Sequence, residues 1–336
     1  MNCSILYLLY PANKALERAI ADSLCLLSAQ DAAAAVPDTQ VAVADNFRFT
    51  RGNYEQHRYS TRIFERLREA LEASLAATPS AETANKLGNI LAALGQQRRD
   101  TTLFKQALQC FNTALESYSK EESPQQWAGA QYNLATANQA LGHLLETSSP
   151  LKLAVDAYTD ALQVWTREAR PEDWMAAMHQ LGATLHTYGK LLKGNRHLQK
   201  SVVAYKNALA VLDADNYALE LTAAHNNRAI ALHHLGESEA NPERMKEAIR
   251  AYEKAVTVSM EQQLPIHVAV LCRVNQATAQ NVLAQMTGNA ALAETVADEF
   301  EVIMECFSHA LQPLCLRHCQ EQMKLARTTS SAQVAG

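Results

Sequence analysis

Residues 124–145 of this 336-residue chain read PQQWAGAQYNLATANQALGHLL, and residues 171–192 read PEDWMAAMHQLGATLHTYGKLL. Both stretches begin with proline, carry tryptophan three residues later, and lie 47 residues apart. The same interval separates a leucine, a glycine and an aromatic column: Leu87, Leu134 and Leu181; Gly95, Gly142, Gly189 and Gly236; Phe111, Tyr158, Tyr205 and Tyr252. Such a period indicates tandem supersecondary units, each too small to bury its own apolar face.

Apolar residues recur at intervals of three and four within each unit, which is the helical period. Helix starts are marked by a capping side chain before proline at Ser123-Pro124, Ser149-Pro150 and Asn241-Pro242. The chain is therefore predicted to be all-α, an α-solenoid of antiparallel helix pairs.

The repeat predicts the following organisation. A helix and an irregular connector occupy 1–53, repeats occupy 54–312, a capping helix occupies 313–327, and 328–336 form a disordered tail because they are small and polar. The repeats comprise a degenerate half-repeat at 54–76 and then units at 77–123, 124–170, 171–217, 218–264 and 265–312.

Composition narrows the class of protein. A net charge of −5 argues against nucleic acid as a general partner, and the seven cysteines are odd in number and scattered, unlike a disulfide framework. No apolar run approaches the roughly 20 residues of a membrane helix, and the opening residues do not resemble a signal peptide. We expect a cytoplasmic protein without a membrane segment.

The pattern resembles the tetratricopeptide repeat, a helical hairpin of about 34 residues. The matching residues are a Leu-small pair, an Ala-x3-aromatic-x2-Ala run and the proline between units, and both helices are longer than the family's usual ones. The pairs are Leu87-Gly88, Leu134-Ala135 and Leu181-Gly182, and the runs are Ala107-Phe111-Ala114, Ala154-Tyr158-Ala161 and Ala248-Tyr252-Ala255. Residues 166–174, TREARPEDW, are similar to the long-repeat bacterial variety of the family.

This resemblance implies a right-handed superhelix in which the first helix of each hairpin lines a concave groove. Carried over residue by residue, the groove would contain Asn85, Asn89, Tyr132, Asn133, Thr136, Gln139, His179, His186, Asn226 and His233. Amides and imidazoles offer donors and acceptors to the backbone of a bound peptide. The alternative is that these amides only hydrogen-bond neighbouring helices, with the partner bound on another surface.

The resemblance implies a non-enzymatic scaffold or adaptor that binds a peptide segment or partner protein and needs no cofactor. The alternative is a regulatory sensor that controls an effector, such as a caspase-like protease in a bacterial stress or defence system. The sequence indicates neither the partner nor the oligomeric state. It contains no phosphate-binding glycine loop, His-Glu-x2-His helix or Gly-x-Ser-x-Gly turn.

Two clusters could carry other chemistry. Cys306, His309, Cys315, His318 and Cys319 offer zinc-type ligands, but helical Cys-x2-His pairs lack the tight knuckle of structural zinc sites, and cysteine also packs as a small core residue.

Residues 47–68 interleave arginines with aromatics, a pattern found in nucleic-acid and acidic-partner binding. Glutamates in the same stretch can pair with these arginines, which favours a solvated helical face.

Overall fold

A computed structural model describes residues 54–307 and 313–334, and this part of the chain contains helices and no strand. The helices are α1 (Tyr54–Ala77), α2 (Ala81–Arg98), α3 (Thr101–Ser117), α4 (Pro124–Leu145), α5 (Ser148–Ala161), α6 (Pro171–Leu192), α7 (Asn195–Leu209), α8 (Ala214–Ser238), α9 (Pro242–Glu261), α10 (Ile266–Thr287), α11 (Ala290–Phe307) and α12 (Pro313–Val334). The all-α fold is confirmed.

The chain divides into two compact units, described over 54–191 and over 192–307 with 313–334. In the N-terminal unit α1 packs on α2, α2 on α3, α3 on α4 and α4 on α5. In the C-terminal unit every helix from α7 to α12 packs on the next one. Short connections make these neighbours antiparallel, so each unit has the stacked helix pairs of a solenoid.

Each predicted repeat unit from 77 to 312 corresponds to two successive helices, from α2 and α3 to α10 and α11. The largest offsets are four residues: α2 begins at Ala81, after the predicted boundary at 77, and α8 begins at Ala214, before the predicted boundary at 218. Tyr217 has a non-helical backbone (φ −135°, ψ 40°), so the regular helix begins after that kink. The helix and connector predicted at 1–53 lie outside the described residues.

The core is a series of small clusters between neighbouring pairs. One lies among α1–α4, a second among α4–α6, a third mainly among α8–α10, and a fourth among α10–α12. The aromatic column lies at the centre of these layers, because Phe111, Tyr158, Tyr205 and Tyr252 are all fully buried. Each layer is therefore stabilised by its immediate neighbours, as expected for a repeat array.

The predicted helix starts are confirmed in part. Asn241 caps α9, because its side-chain oxygen accepts from the backbone N–H groups of Glu243 (3.0 Å) and Arg244 (3.3 Å). Pro124 begins α4, but Ser123 makes no capping bond, and its hydroxyl oxygen accepts instead from the N–H of Ser119 at 3.0 Å. Helix α5 begins at Ser148, ahead of the predicted Ser149-Pro150 start.

The predicted boundary between the capping helix and a disordered tail is wrong. Helix α12 begins at Pro313 as predicted but extends to Val334, seven residues beyond the predicted end at 327. The hydroxyls of Thr328, Thr329 and Ser331 each donate to the backbone carbonyl four residues earlier. Their polarity is therefore satisfied inside the helix, which is why a small, polar composition did not indicate disorder here.

Gly88 is required by the close approach of α2 to α3, since a Cβ there would lie 2.5 Å from Cε1 of Phe111. We predict that Gly88→Ala lowers the free energy of unfolding by about 1 kcal/mol, because overpacking strain of about 1–3 kcal/mol exceeds the helix-propensity gain of about 1 kcal/mol. Gly129→Ala is the matched control: nothing lies within 4 Å of its Cβ position, so it should stabilise. Urea titrations measure both changes, and a stabilising Gly88→Ala would contradict the packing argument.

Candidate functional site

The residues predicted to line a groove lie on the first helices of successive pairs, α2, α4, α6 and α8, but most are not accessible. Asn85 and Thr136 are half-buried, and the others are less than a tenth exposed. These buried residues are Asn89, Tyr132, Asn133, Gln139, His179, His186, Asn226 and His233. The expectation that they line an open groove is therefore corrected at these positions, because neighbouring helices cover their side chains.

The amides link the first helices of successive pairs. In the N-terminal unit Asn133 Nδ2 on α4 donates to Asn85 Oδ1 on α2 at 3.1 Å. In the C-terminal unit Asn275 Nδ2 on α10 donates to Asn226 Oδ1 on α8 at 3.0 Å, and Asn226 Nδ2 donates to Asn227 Oδ1 at 3.1 Å. In the two bonds between helices, Asn133–Asn85 and Asn275–Asn226, the donor and acceptor residues are about one repeat apart. These amides thus fix the register of neighbouring first helices, which is the alternative role that the sequence left open.

A second polar group joins α4 to α5. The Tyr158 hydroxyl donates to Gln139 Oε1 at 2.8 Å and lies 3.0 Å from the Thr136 hydroxyl. Tyr132 packs edge-on against Tyr158, with ring centroids 5.4 Å apart, and the ring centroids of Tyr132 and Trp165 are 5.5 Å apart. Tyr132 therefore belongs to the aromatic core of this layer.

Burial favours the neutral form of three histidines, His179, His186 and His225. Burial lowers the pKa of His179 to about 3, and burial together with the Lys190 charge lowers that of His186 to about 3. In the C-terminal unit burial, with Lys254 and Arg228 nearby, lowers the pKa of His225 to about 4. Each of these shifts has desolvation of the charged imidazole as its main cause.

The predicted zinc cluster is only partly within the described residues, since His309 lies outside them. Cys306 is exposed, whereas Cys315, His318 and Cys319 are buried. His318 Nε2 is 2.9 Å from the Thr278 hydroxyl on α10, so this imidazole joins α12 to α10. Across 54–307 and 313–334, no group of three or more histidine, cysteine, aspartate or glutamate residues is arranged to hold a metal ion.

Where the arginine-rich stretch is described, it contains ion pairs within the fold. Arg68 pairs with Glu65 at 3.1 Å and with Glu72 at 3.7 Å, and Glu65 also pairs with Arg98 of α2. This arrangement agrees with a solvated helical face whose charges are shared between α1 and α2. The part of the stretch before residue 54 lies outside the described residues.

The accessible side of α4 lies one position away from most of the predicted columns. It consists of Gly129, Thr136, Ala140 and His143, which follow intervals of seven, four and three and therefore share one helical face. We call these four residues the open face of α4. A Cβ at Gly129 would meet nothing within 4 Å, which shows that space is available there. Thr136 belongs to the predicted columns, whereas Gly129, Ala140 and His143 do not. The signal for these three residues was a helical stripe of small and polar residues in the sequence.

Comparison with known proteins supports the fold alone. No family model matches the chain, and no curated protein matches it. A solved structure that is similar is the crystal structure of BtubC (BKLC) from P. vanneervenii, with a TM-score of 0.50, 17% identity, 76% of this chain covered and 94% of that chain covered. The two proteins share an all-helical repeat architecture. No helix in the described part of the chain is long and apolar enough to cross a membrane.

Proposed function

We propose that this chain is a non-enzymatic interaction scaffold, a tetratricopeptide-type array that binds a peptide segment or partner protein along the first helices of its pairs. The observation that supports this proposal is that α4 has one set of residues bonded to neighbouring helices and another set that is accessible. Asn133 and Gln139 are buried in bonds that hold α4 to α2 and α5, whereas Gly129, Thr136 and Ala140 on the same helix retain accessible surface.

Rigid support of an accessible face favours binding, because a pre-organised surface loses less conformational entropy when a ligand docks. The open face of α4 combines small residues, which permit close approach of another backbone, with the imidazole of His143, while the Thr136 hydroxyl is bonded within the fold. Such a surface is suited to main-chain hydrogen bonding with a peptide, and side-chain specificity would then come from neighbouring first helices. The motif residues agree with the family proposal, since Gly88 and Phe111 make the close contact that the Leu-small pair and the aromatic predict.

The experiment begins with affinity purification from the native cell and identification of the proteins that co-elute. A stoichiometric partner whose own activity changes on binding would favour the sensor role, whereas a partner without such a change would favour the scaffold. Turnover of a substrate by the purified chain alone would overturn the non-enzymatic proposal.

The surface is then tested with the purified partner. We predict that Gly129→Arg weakens binding at least about tenfold, because a large charged side chain would occupy the open face at a position where a Cβ meets nothing within 4 Å. The matched control is Leu153→Arg on α5, where the native side chain is 53% exposed on a second helix. Fluorescence anisotropy measures both affinities, and circular dichroism checks the fold. Equal affinities of Gly129→Arg and wild type would locate the partner elsewhere.

A further inference from the structure

Charge is segregated between two helices of the C-terminal unit. Helix α7 contains arginine, histidine and lysine residues and no acidic residue, whereas α11 contains five acidic residues and no basic one. Helix α9 contains both signs along its length, and they pair within the helix, as Lys246 does with Glu243 at 2.7 Å. The segregation is therefore a property of α7 and α11 and not of every second helix in this unit.

The basic residues of α7 form one accessible face together with an exposed valine. Their intervals of four, three and three place them on the same side of the helix. We call this set the basic face of α7, and it consists of Arg196, Lys200, Val203 and Lys206. Val203 is 55% exposed. None of the three basic side chains forms an ion pair within the described part of the chain.

Helix α11 has an accessible face of the opposite charge. We call it the acidic face of α11, and it consists of Glu294, Asp298, Val302 and Glu305, all exposed. Two other acids of this helix already pair with neighbouring helices, Glu299 with Arg273 and Glu301 with Arg327. The three acids of the face have no ion pair among the residues of 54–307 and 313–334.

Each face is unfavourable to the isolated chain. Like charges four residues apart on a helix destabilise it, and Arg196 with Lys200 is such a pair, as is Glu294 with Asp298. Val203 and Val302 are large apolar side chains in contact with water. A surface of opposite charge with an apolar centre would relieve both costs on each face, and the same unit of this chain carries both of the surfaces that are needed.

We propose that the basic face of α7 in one copy of this chain binds the acidic face of α11 in a second copy. This self-association goes beyond the proposed binding function, because it uses second helices and leaves the open face of α4 accessible. The contact between two short helix faces is small, so the association is weak and transient. It also depends strongly on salt, because exposed charges attract one another mainly at low ionic strength.

The spacing of the charges fits such a contact when the two helices lie parallel with Val203 against Val302. The charges of α7 lie seven and three residues before its valine and three residues after it. Those of α11 lie eight and four residues before its valine and three residues after it. With a rise of about 1.5 Å per residue, matching positions differ along the axis by at most about 1.5 Å. Opposite charges therefore meet on both sides of the two valines.

Sedimentation velocity of the full chain tests the association. At about 20 mM NaCl the sedimentation coefficient should rise as the protein concentration increases, and at about 500 mM NaCl this rise should be lost. A monomer at every concentration up to about 200 µM in low salt would overturn the proposal, since even a weak contact is then populated. Association that does not change with salt would also overturn it.

Charge reversal tests the two faces. Lys200→Glu/Lys206→Glu and Asp298→Lys/Glu305→Lys should each weaken self-association at least about tenfold. An equimolar mixture of the two variants should associate again, because each supplies the face that the other has lost. Circular dichroism checks that both variants are folded. A mixture that stays monomeric under conditions in which the wild type associates would overturn the assignment of the faces.

The matched control is Lys105→Glu/Lys152→Glu, at exposed positions on α3 and α5. It changes the net charge by the same amount as Lys200→Glu/Lys206→Glu and should keep the wild-type association. Equal weakening in the two variants would show that net charge, and not the basic face of α7, controls association, and this result would overturn the proposal.

Discussion

Lowering the pH from about 7.5 to about 5 should remove about 4 kcal/mol of unfolding free energy from the N-terminal unit through His179 and His186 alone. Each side chain is 1% exposed, and burial lowers its pKa from 6.5 to about 3. At about pH 5 the unfolded imidazole is mostly protonated and the folded one is not, which is worth about 2 kcal/mol for each residue. The stabilisation is complete above the unfolded pKa near 6.5 and is lost as the pH falls towards 3.

The measurement is a set of urea titrations at the two pH values for wild type and for His179→Asn/His186→Asn. Carboxylates and other histidines titrate in both proteins, so the difference between the two pH dependences isolates the buried pair. The double variant should lose about 4 kcal/mol less than wild type over this interval. His267→Asn, at an exposed position on α10, is the matched control and should keep the wild-type dependence. An undiminished pH dependence in the double variant would show that the two sites are already open to water.

The repeat in the sequence was sufficient to predict helix pairs and the aromatic core, because both depend on periodicity. It was not sufficient to predict which residues on a first helix are accessible. A column such as Asn85, Tyr132, His179 and Asn226 is defined by position, whereas burial depends on the side chains that adjacent helices present. Asn226 is fully buried, and its side-chain oxygen accepts from Asn275, about one repeat later. That pairing depends on two residues far apart in sequence, and the family pattern carries no information about it.

Local sequence signals for a helix cap and for a disordered tail gave wrong predictions where the side chain has another hydrogen-bond partner in the structure. Ser123 has the residue type and the following proline of a helix cap, yet its hydroxyl is used in the preceding turn by Ser119. The threonines and serines of α12 have the composition of a disordered tail, but they bond inside the helix. In both places the sequence shows that a hydroxyl group needs a hydrogen-bond partner, but it does not show which backbone group that partner is.

Tyrosine-to-phenylalanine substitution at two equivalent positions of the aromatic column should change the free energy of unfolding in opposite directions. Tyr158→Phe should lower the free energy of unfolding by about 1–3 kcal/mol, because it leaves the buried Gln139 oxygen without its donor. Tyr252→Phe should instead raise it by about 1–3 kcal/mol. The Tyr252 hydroxyl is buried and has no hydrogen-bond partner among the described residues. These two tyrosines of one column, two repeats apart, should therefore differ by about 2–6 kcal/mol in response to the same substitution.

The physical reason lies in the preceding helix. Tyr158 contacts Thr136 and Gln139, which precede it by 22 and 19 residues. The positions that precede Tyr252 by the same intervals are Ile230, which has no polar side-chain atom, and His233, whose ring lies edge-on with its centroid 6.4 Å from the tyrosine ring. Urea titrations followed by circular dichroism measure the free energy of unfolding of both variants. Phe111→Tyr is the reverse substitution, because it introduces a hydroxyl at a position that is fully buried against Gly88. Equal losses in Tyr158→Phe and Tyr252→Phe would mean that the Tyr252 hydroxyl is satisfied after all, and that the column is stabilised uniformly along the array.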